Sequence, residues 1–324
     1  MGARTRKDQG DRPGLGGSLK GKVAVVAGGS RGAGRGIALA LGEAGATVYV
    51  AGRTTRGGPP PSDGAPGTID DTADEVTRRG GRGIAVRTDC ADESSVEALF
   101  ERIAAEGAGV DVLANAVWGA ADGMATVDEA LAGWGTPFWE RSASEWRRLM
   151  DGGARAYYLM SFHAARLMAP RKRGLIVGVT DGFMEGTPES VLDGTAFGDY
   201  NGMLLWDLSH VTINRLLAGI AADGRKHGIA AITLMPGFMR TERVESTMTS
   251  DEARRQFRYD LSETTEYVGR AVAALAGDPK VLAKSGRIHF VADLAAEYGF
   301  TDVDGRVIPR FDPFAVRAKA KKHR

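Results

Sequence analysis

The feature of this sequence that most constrains its fold is a series of short apolar segments that alternate with segments of helical periodicity. The predicted strands are residues 23–27, 47–51, 84–87, 110–114, 175–179 and 230–235, and the predicted helices are residues 37–44, 69–79, 93–106, 144–168 and 205–222. Strands that are apolar along their whole length are typical of parallel sheets buried on both faces, and the intervening helices supply the crossovers. The sequence therefore predicts an α/β fold with a doubly wound parallel sheet.

No repeat and no second composition regime divides the chain, so a single domain is predicted over residues 21–310. Residues 1–20 are rich in Gly, Arg and Asp and lack the apolar core of a secretory signal, which indicates a flexible lead-in. Residues 311–324 form a basic tail that we interpret as solvated. Insertions are predicted at about 55–68, where four of the twelve prolines predict a flap, and at about 117–143.

Composition excludes several classes of partner. The net charge of +1 gives no field that favours nucleic acid or an anionic membrane surface. No apolar run approaches the roughly 18 residues of a membrane helix. The single cysteine, Cys90, cannot form an intramolecular disulfide, which fits a cytoplasmic location, and no metal site is predicted.

A glycine-rich turn, with Gly28, Gly32 and Gly34, joins the first strand to the first helix. Glycine permits a tight turn and a close approach of backbone N–H groups to phosphate oxygens, and the helix N-terminus favours an anion. The turn therefore predicts a diphosphate site for a dinucleotide. The alternative is a purely structural turn in a flavodoxin-like domain.

The end of the second strand indicates which dinucleotide binds. An NAD site usually carries an acidic residue there for the ribose 2′-hydroxyl, but this strand is followed by Arg53, and no acid occurs before Asp63. Arg31 lies inside the glycine turn, and two guanidinium groups suit a 2′-phosphate. These observations favour NADP(H), unless both arginines are only solvated side chains.

Together these residues resemble the short-chain dehydrogenase/reductase (SDR) superfamily over about residues 19–309, which implies a Rossmann fold. The matching segments are AGGSRGAG at 27–34, DC at 89–90, NA at 115–116, GLIV at 174–177 and PG at 236–237 followed by Thr241. The resemblance implies cofactor contacts from Gly28, Ser30, Arg31, Gly32, Gly34, Arg53, Asp89, Cys90, Asn115, Ala116, His210, Pro236, Gly237 and Thr241.

The resemblance fails at the proton-transfer residues. Family members use a Tyr-x-x-x-Lys pair and a serine, and no tyrosine of this chain is followed four residues later by lysine. Family spacing places Trp206 at the tyrosine, His210 at the lysine and Asp181 at the serine, and Tyr200 is a displaced candidate. His210 could titrate near neutrality and bind the ribose, whereas indole cannot deliver a proton. In the alternative interpretation, Trp206 is a core residue, His210 a satisfied helix residue and Asp181 a turn former.

Three functions remain open. The first is an NADPH-dependent oxidoreductase of a bulky apolar carbonyl or enone, with a non-standard proton donor. The second is a catalytically silent NADPH-binding protein, and the third is a non-redox isomerase or cyclase on the same scaffold. Large apolar residues are expected either to line the substrate pocket or to form a loop or dimer contact: Trp118, Trp134, Phe138, Trp139, Phe183, Met184, Phe197 and Met203. The resemblance implies a homo-oligomer, a dimer or tetramer.

Overall fold

A seven-stranded parallel sheet is the central element of the computed structural model, which describes residues 19–61, 64–119, 136–180, 204–248, 250–256 and 258–310. Its strands are β1 (Val23–Ala27), β2 (Thr47–Gly52), β3 (Arg82–Arg87), β4 (Val112–Asn115), β5 (Gly174–Val179), β6 (Ile229–Met235) and β9 (Ile288–Phe290). The spatial order is β3-β2-β1-β4-β5-β6-β9. Two short strands, β7 (Met239–Arg240) and β8 (Glu263–Thr264), form a second parallel pair.

Helices connect the strands and cover the sheet. They are α1 (Gly32–Glu43), α2 (Ile69–Arg78), α3 (Glu93–Ala105), α4 (residues 144–168), α5 (Leu204–Gly224), α6 (Glu242–Thr247), α7 (Asp251–Gln256), α8 (Thr265–Gly277) and α9 (Val291–Tyr298). Helix α4 contains a π-helical stretch, Arg147–Arg155, between α-helical residues on both sides. No helix of the described part of the chain has the length and apolarity that a bilayer crossing requires.

Alternate residues of each central strand enter two different hydrophobic cores. In β1, Ala24 and Val26 pack into the core that includes α1 and α8, whereas Val25 and Ala27 pack into the core that includes α3 and α4. Burial on both faces explains why these strands are continuously apolar in the sequence. The prediction of a doubly wound parallel α/β sheet is confirmed.

The order of the strands reverses at β1, because β2 pairs with one of its edges and β4 with the other. In open α/β sheets of this type, ligands bind at the carboxyl ends of the strands where the order reverses. Ala27 and Asn115 are register partners at that position. The topology therefore predicts a ligand site at the turns that follow β1 and β4.

Several elements differ from the sequence-based predictions. Helix α1 begins at Gly32 instead of residue 37, so Gly32 and Gly34 belong to its first turn. Strand β4 ends at Asn115, one residue later than predicted. The π-helical stretch in α4 and the strands after Met235 were not predicted, since the latter contain only two or three residues each. Tertiary contacts determine elements this short, and local propensity does not.

Candidate functional site

Two glycines of the turn after β1 occupy positions where no side chain fits. Gly28 has φ +78°, and a Cβ atom on it would lie 2.7 Å from the carbonyl oxygen of Ala116. A Cβ atom on Gly34 would lie 2.1 Å from the carbonyl oxygen of Gly28. Position 32 has φ +55°, a left-handed backbone conformation that favours glycine. The turn is therefore packed tightly against both β4 and α1.

The N-terminus of α1 already binds an anionic oxygen. The Gly32 N–H donates to Oε2 of Glu242 at 2.8 Å. Arg31 precedes the helix in an extended conformation without a side-chain capping bond, and the first turn of α1 contains no acidic residue. The helix itself therefore provides no acceptor for this backbone donor, which binds the carboxylate of Glu242 from elsewhere in the chain and has the chemistry that a diphosphate oxygen requires.

Arg31 reaches the carboxyl end of β2. Its Nη2 donates to Oγ1 of Thr54 at 3.1 Å, and Thr54 follows Arg53, whose side chain is exposed. The insertion before α2 also returns to the turn, because a Cβ atom on Gly67 would lie 2.5 Å from the carbonyl oxygen of Ser30. Arg31 and the end of the insertion therefore both lie beside the carboxyl end of β2.

The turns after β3 and β4 complete the same edge of the sheet. Oδ1 of Asp89 accepts from the N–H of Ala91 at 3.0 Å, and burial raises the pKa of the adjacent Cys90 thiol to about 12. Nδ2 of the buried Asn115 donates to Oγ of Ser161 at 3.2 Å, and the N–H of Ala116 donates to the carbonyl oxygen of Ala27 at 3.0 Å. Cys90 is therefore a protonated packing residue, and the Asn115 turn is held against β1.

The segment after β6 is held by a buried acid. The Gly237 N–H donates to Oε2 of Glu263 at 2.9 Å, and Glu263 is only 1% exposed. Burial raises the pKa of this carboxyl group to about 8. Further along the segment, Oγ1 of Thr241 caps α6 by accepting from the N–H of Val244 at 3.2 Å. The hydrogen bond to Glu263 thus holds the Pro236–Gly237 turn in place, while Thr241 lies beside Gly32.

An aromatic cluster contains Trp206 and His210, the two residues that family spacing predicts at the positions of the proton-transfer pair. The Trp118 ring centroid lies 4.9 Å from that of Trp206 and 4.4 Å from that of His210. Nδ1 of His210 lies 3.0 Å from the carbonyl oxygen of Trp206, so this nitrogen carries the proton and donates. The structure brings the two predicted residues together, with Trp118 as a third member.

The expected titration of His210 near neutrality is wrong in this structure. The side chain is buried, and desolvation lowers its pKa to about 4. The imidazole is therefore neutral at physiological pH and can take part only as a neutral hydrogen-bonding group. The neutral imidazole therefore cannot supply the positive charge of the lysine that family spacing predicts at this position.

Other predicted residues are separated from the cluster or fall outside the described residues. Asp181 and Tyr200 lie outside them, as do Trp134, Phe183, Met184, Phe197 and Met203. Phe138 and Trp139 are 59% and 72% exposed, so they do not line a closed pocket. Of the large apolar residues named from the sequence, Trp118 is the one that the described structure places at the site.

Sequence reasoning missed two acidic residues that contact the site, Glu242 and Glu263. Each lies next to a threonine in a charged stretch, and nothing local distinguishes either from a solvated residue. Only the tertiary fold brings them to Gly32 and Gly237. Within the described ranges, no group of three or more His, Cys, Asp or Glu side chains is arranged to hold a metal ion.

Comparisons with known proteins find relatives of one family and solved structures of the same fold. The sequence profile of the family described as short chain dehydrogenase matches residues 22–188. Human dehydrogenase/reductase SDR family member 1 is 36% identical over 298 residues, which cover 90% of this chain and 86% of that protein. A cis-4-hydroxycyclohexanecarboxylate dehydrogenase of Sinomonas cyclohexanicum is 31% identical over 79% of this chain and 90% of its own. A solved short-chain dehydrogenase of Mycobacterium thermoresistibile superposes with a TM-score of 0.70 at 22% identity, covering 91% of this chain and 96% of its own.

Proposed function

The chain belongs to the short-chain dehydrogenase family, and from that premise we propose that it is an NADP(H)-dependent oxidoreductase acting on a bulky apolar carbonyl or enone. The observation that carries the proposal is that an anion-binding glycine turn and an aromatic cluster belong to the same edge of the sheet: Gly28 packs against the carbonyl of Ala116, two residues before Trp118 of the cluster. The turn supplies dinucleotide binding, and the cluster supplies an apolar surface beside it.

The dinucleotide part of the proposal rests on the residues around α1. The Gly32 N–H would bind a diphosphate oxygen, as it binds a carboxylate oxygen in this structure. Arg31 and Arg53 would bind the 2′-phosphate that distinguishes NADP(H) from NAD(H). When bound, the nicotinamide supplies or accepts the hydride.

The chemical part rests on Trp118, Trp206 and His210. The two indoles lie against each other, and they would exclude water from a bound substrate, which favours hydride transfer to an apolar carbonyl. The neutral His210 ring is held in its orientation by the hydrogen bond to the Trp206 carbonyl oxygen. It carries no charge with which to lower the pKa of a neighbouring acid. We propose that the substrate's proton comes from Asp181, Tyr200 or water.

A catalytically silent NADPH-binding protein is the second candidate. The observation that favours it is again His210, because burial keeps the imidazole neutral and family spacing predicts a lysine ammonium at this position. In this function the fold would hold the dinucleotide in order to set a conformation or to present a surface to a partner. The two candidates predict equal binding of NADPH and differ only in turnover.

A turnover assay separates them. Purified protein is mixed with NADPH and a panel of bulky ketones and enones, and the nicotinamide absorbance is followed. We expect substrate-dependent loss of the absorbance, reduced about tenfold or more in Trp206→Ala and His210→Ala. His227→Ala, an exposed histidine just after the same helix, is the matched control. NADPH binding without oxidation of the cofactor across the panel would favour the silent protein, and full activity in both site variants would refute the assigned residues.

The proposal also includes a homo-oligomer in the cytoplasm. Helix α4 exposes Trp146, Tyr158 and Phe162 by 50%, 51% and 43%, and α5 exposes Leu204 and Leu208 by 39% and 37%. A surface cavity of about 340 Å³ lies between these helices and is lined by Trp146, Met150, Tyr158 and Leu216 among others. An exposed apolar patch of this kind supports association of two copies through these helices.

A further inference from the structure

The diphosphate position of the proposed site is occupied by a side chain of the protein itself. Oε2 of Glu242 lies 2.8 Å from the N–H of Gly32, the first residue of α1. Oε1 of the same carboxylate lies 4.0 Å from Nε of Arg35, one turn further along the helix. Glu242 therefore satisfies both the backbone donor and the positive end of α1.

The contact is formed by tertiary structure. Helix α1 has no side-chain cap of its own and no acidic residue in its first turn, so its N-terminal donors depend on groups from elsewhere. Glu242 is the first residue of α6, and the capping residue Thr241 places α6 directly over the turn. A Cβ atom on Gly32 would lie 3.8 Å from Cγ2 of Thr241, so the N-termini of the two helices approach each other.

Two anions cannot use this donor at the same time. A diphosphate bound at the N-terminus of α1 would need the Gly32 N–H and would lie against the Glu242 carboxylate. Like charges at such a separation repel each other, and the carboxylate would have to leave before the ligand could bind. The side chain is 28% exposed, so it can turn towards solvent without unfolding α6.

We propose that Glu242 is an affinity-setting residue, an internal anion that competes with the dinucleotide diphosphate for α1. The inference rests on the proposed NADP(H) function. It predicts weaker binding of every dinucleotide than the turn alone would give, since the diphosphate is common to NADPH and NADH. It also predicts that dinucleotide binding displaces Glu242 and loosens the attachment of α6 to α1.

The test compares dissociation constants of NADPH and NADH for the natural sequence and for Glu242→Gln and Glu242→Ala, measured by titration calorimetry. Both substitutions are expected to lower both dissociation constants by about three- to tenfold, by the same factor for the two dinucleotides. Inorganic pyrophosphate, added as a competitor of NADPH, should gain affinity by a similar factor. Thermal unfolding of each variant checks that the fold is intact.

Glu245→Gln is the matched control. It removes one negative charge from the same helix, but Glu245 accepts a hydrogen bond from Tyr259 and does not contact α1. Its dissociation constants should stay within about twofold of those of the natural sequence. If the natural sequence binds dinucleotide but the Glu242 variants bind it equally well or more weakly, this inference is overturned and the proposed function is not. If neither the natural sequence nor any variant binds either dinucleotide, the proposed function fails and the inference fails with it.

Discussion

Arg31 and Arg53 are the two residues proposed to bind the 2′-phosphate, and single substitutions of them test the proposed preference for NADP(H). Arg31 belongs to the glycine turn and donates to Thr54, while Arg53 directly follows β2 and is exposed. Because only NADP(H) carries a 2′-phosphate, Arg31→Ala and Arg53→Ala should each raise the dissociation constant of NADPH about tenfold and change that of NADH less than about twofold. Equilibrium titrations with both dinucleotides measure the difference.

Arg56→Ala provides the comparison for this pair of variants. Arg56 lies three residues after Arg53, but its guanidinium donates to Asp71 at 2.6 Å and to Asp74 at 2.6 Å. A group already paired with two carboxylates has little attraction left for a phosphate, so its removal should leave both dissociation constants unchanged. Equal weakening of NADPH and NADH in the Arg31 and Arg53 variants would show that these residues do not read the 2′-phosphate.

At the scale of elements, α1 and α8 pack so closely that their contact is made by backbone. A Cβ atom on Gly269 would lie 2.3 Å from the carbonyl oxygen of Gly36, and a Cβ atom on Gly36 would lie 1.9 Å from that of Thr265. Gly269→Ala should therefore lower the free energy of unfolding by about 1–3 kcal/mol, because the helices must separate. Urea denaturation at constant pH measures the change.

Gly219→Ala is the control for the same substitution inside a helix. Gly219 lies in α5, and the nearest atom that a Cβ would meet is Nη1 of Arg215 at 3.7 Å. Alanine should be neutral there or raise the free energy of unfolding by up to about 1 kcal/mol, since it is the better helix former. If both alanine variants behaved alike, close packing of α1 on α8 would be contradicted.

The sequence could predict elements whose signal is local, and it could not predict contacts between distant residues. Strands β1, β2, β5 and β6 were evident because both of their faces are buried, which leaves a continuous apolar run in the sequence. The glycine turn was evident because its conformation requires glycine. Glu242 and Glu263 could not be found, because their roles arise from contacts with residues far away in the chain. The pKa of His210 likewise follows from burial, which no local pattern encodes.

At the scale of the whole molecule, two buried groups make stability depend on pH in opposite directions. Burial raises the pKa of Glu263 from 4.5 to about 8, so the folded protein keeps a proton that the unfolded chain loses. This contribution is complete below pH 4.5 and is lost as the pH rises towards 8. Burial lowers the pKa of His210 from 6.5 to about 4, so its contribution is complete above pH 6.5 and is lost as the pH falls towards 4.

The two contributions offset each other between pH 4.5 and 6.5, and Glu263 acts alone between pH 6.5 and 8. The free energy of unfolding should therefore fall across the upper window by up to about 1.4 kcal/mol per pH unit, the value for one proton.

Glu263→Gln removes the titrating group, so it should flatten the profile there, whatever its effect on the stability at any one pH. His210→Gln should leave the upper window unchanged and make the profile in the lower one fall more steeply, although His289, whose pKa desolvation also lowers from 6.5, still offsets part of the carboxyl contribution. Urea denaturation of the natural sequence and both variants across this pH range measures these slopes. A slope above pH 6.5 that persists in Glu263→Gln would mean that another group titrates there, and the assigned state of the buried carboxyl beside Gly237 would be wrong.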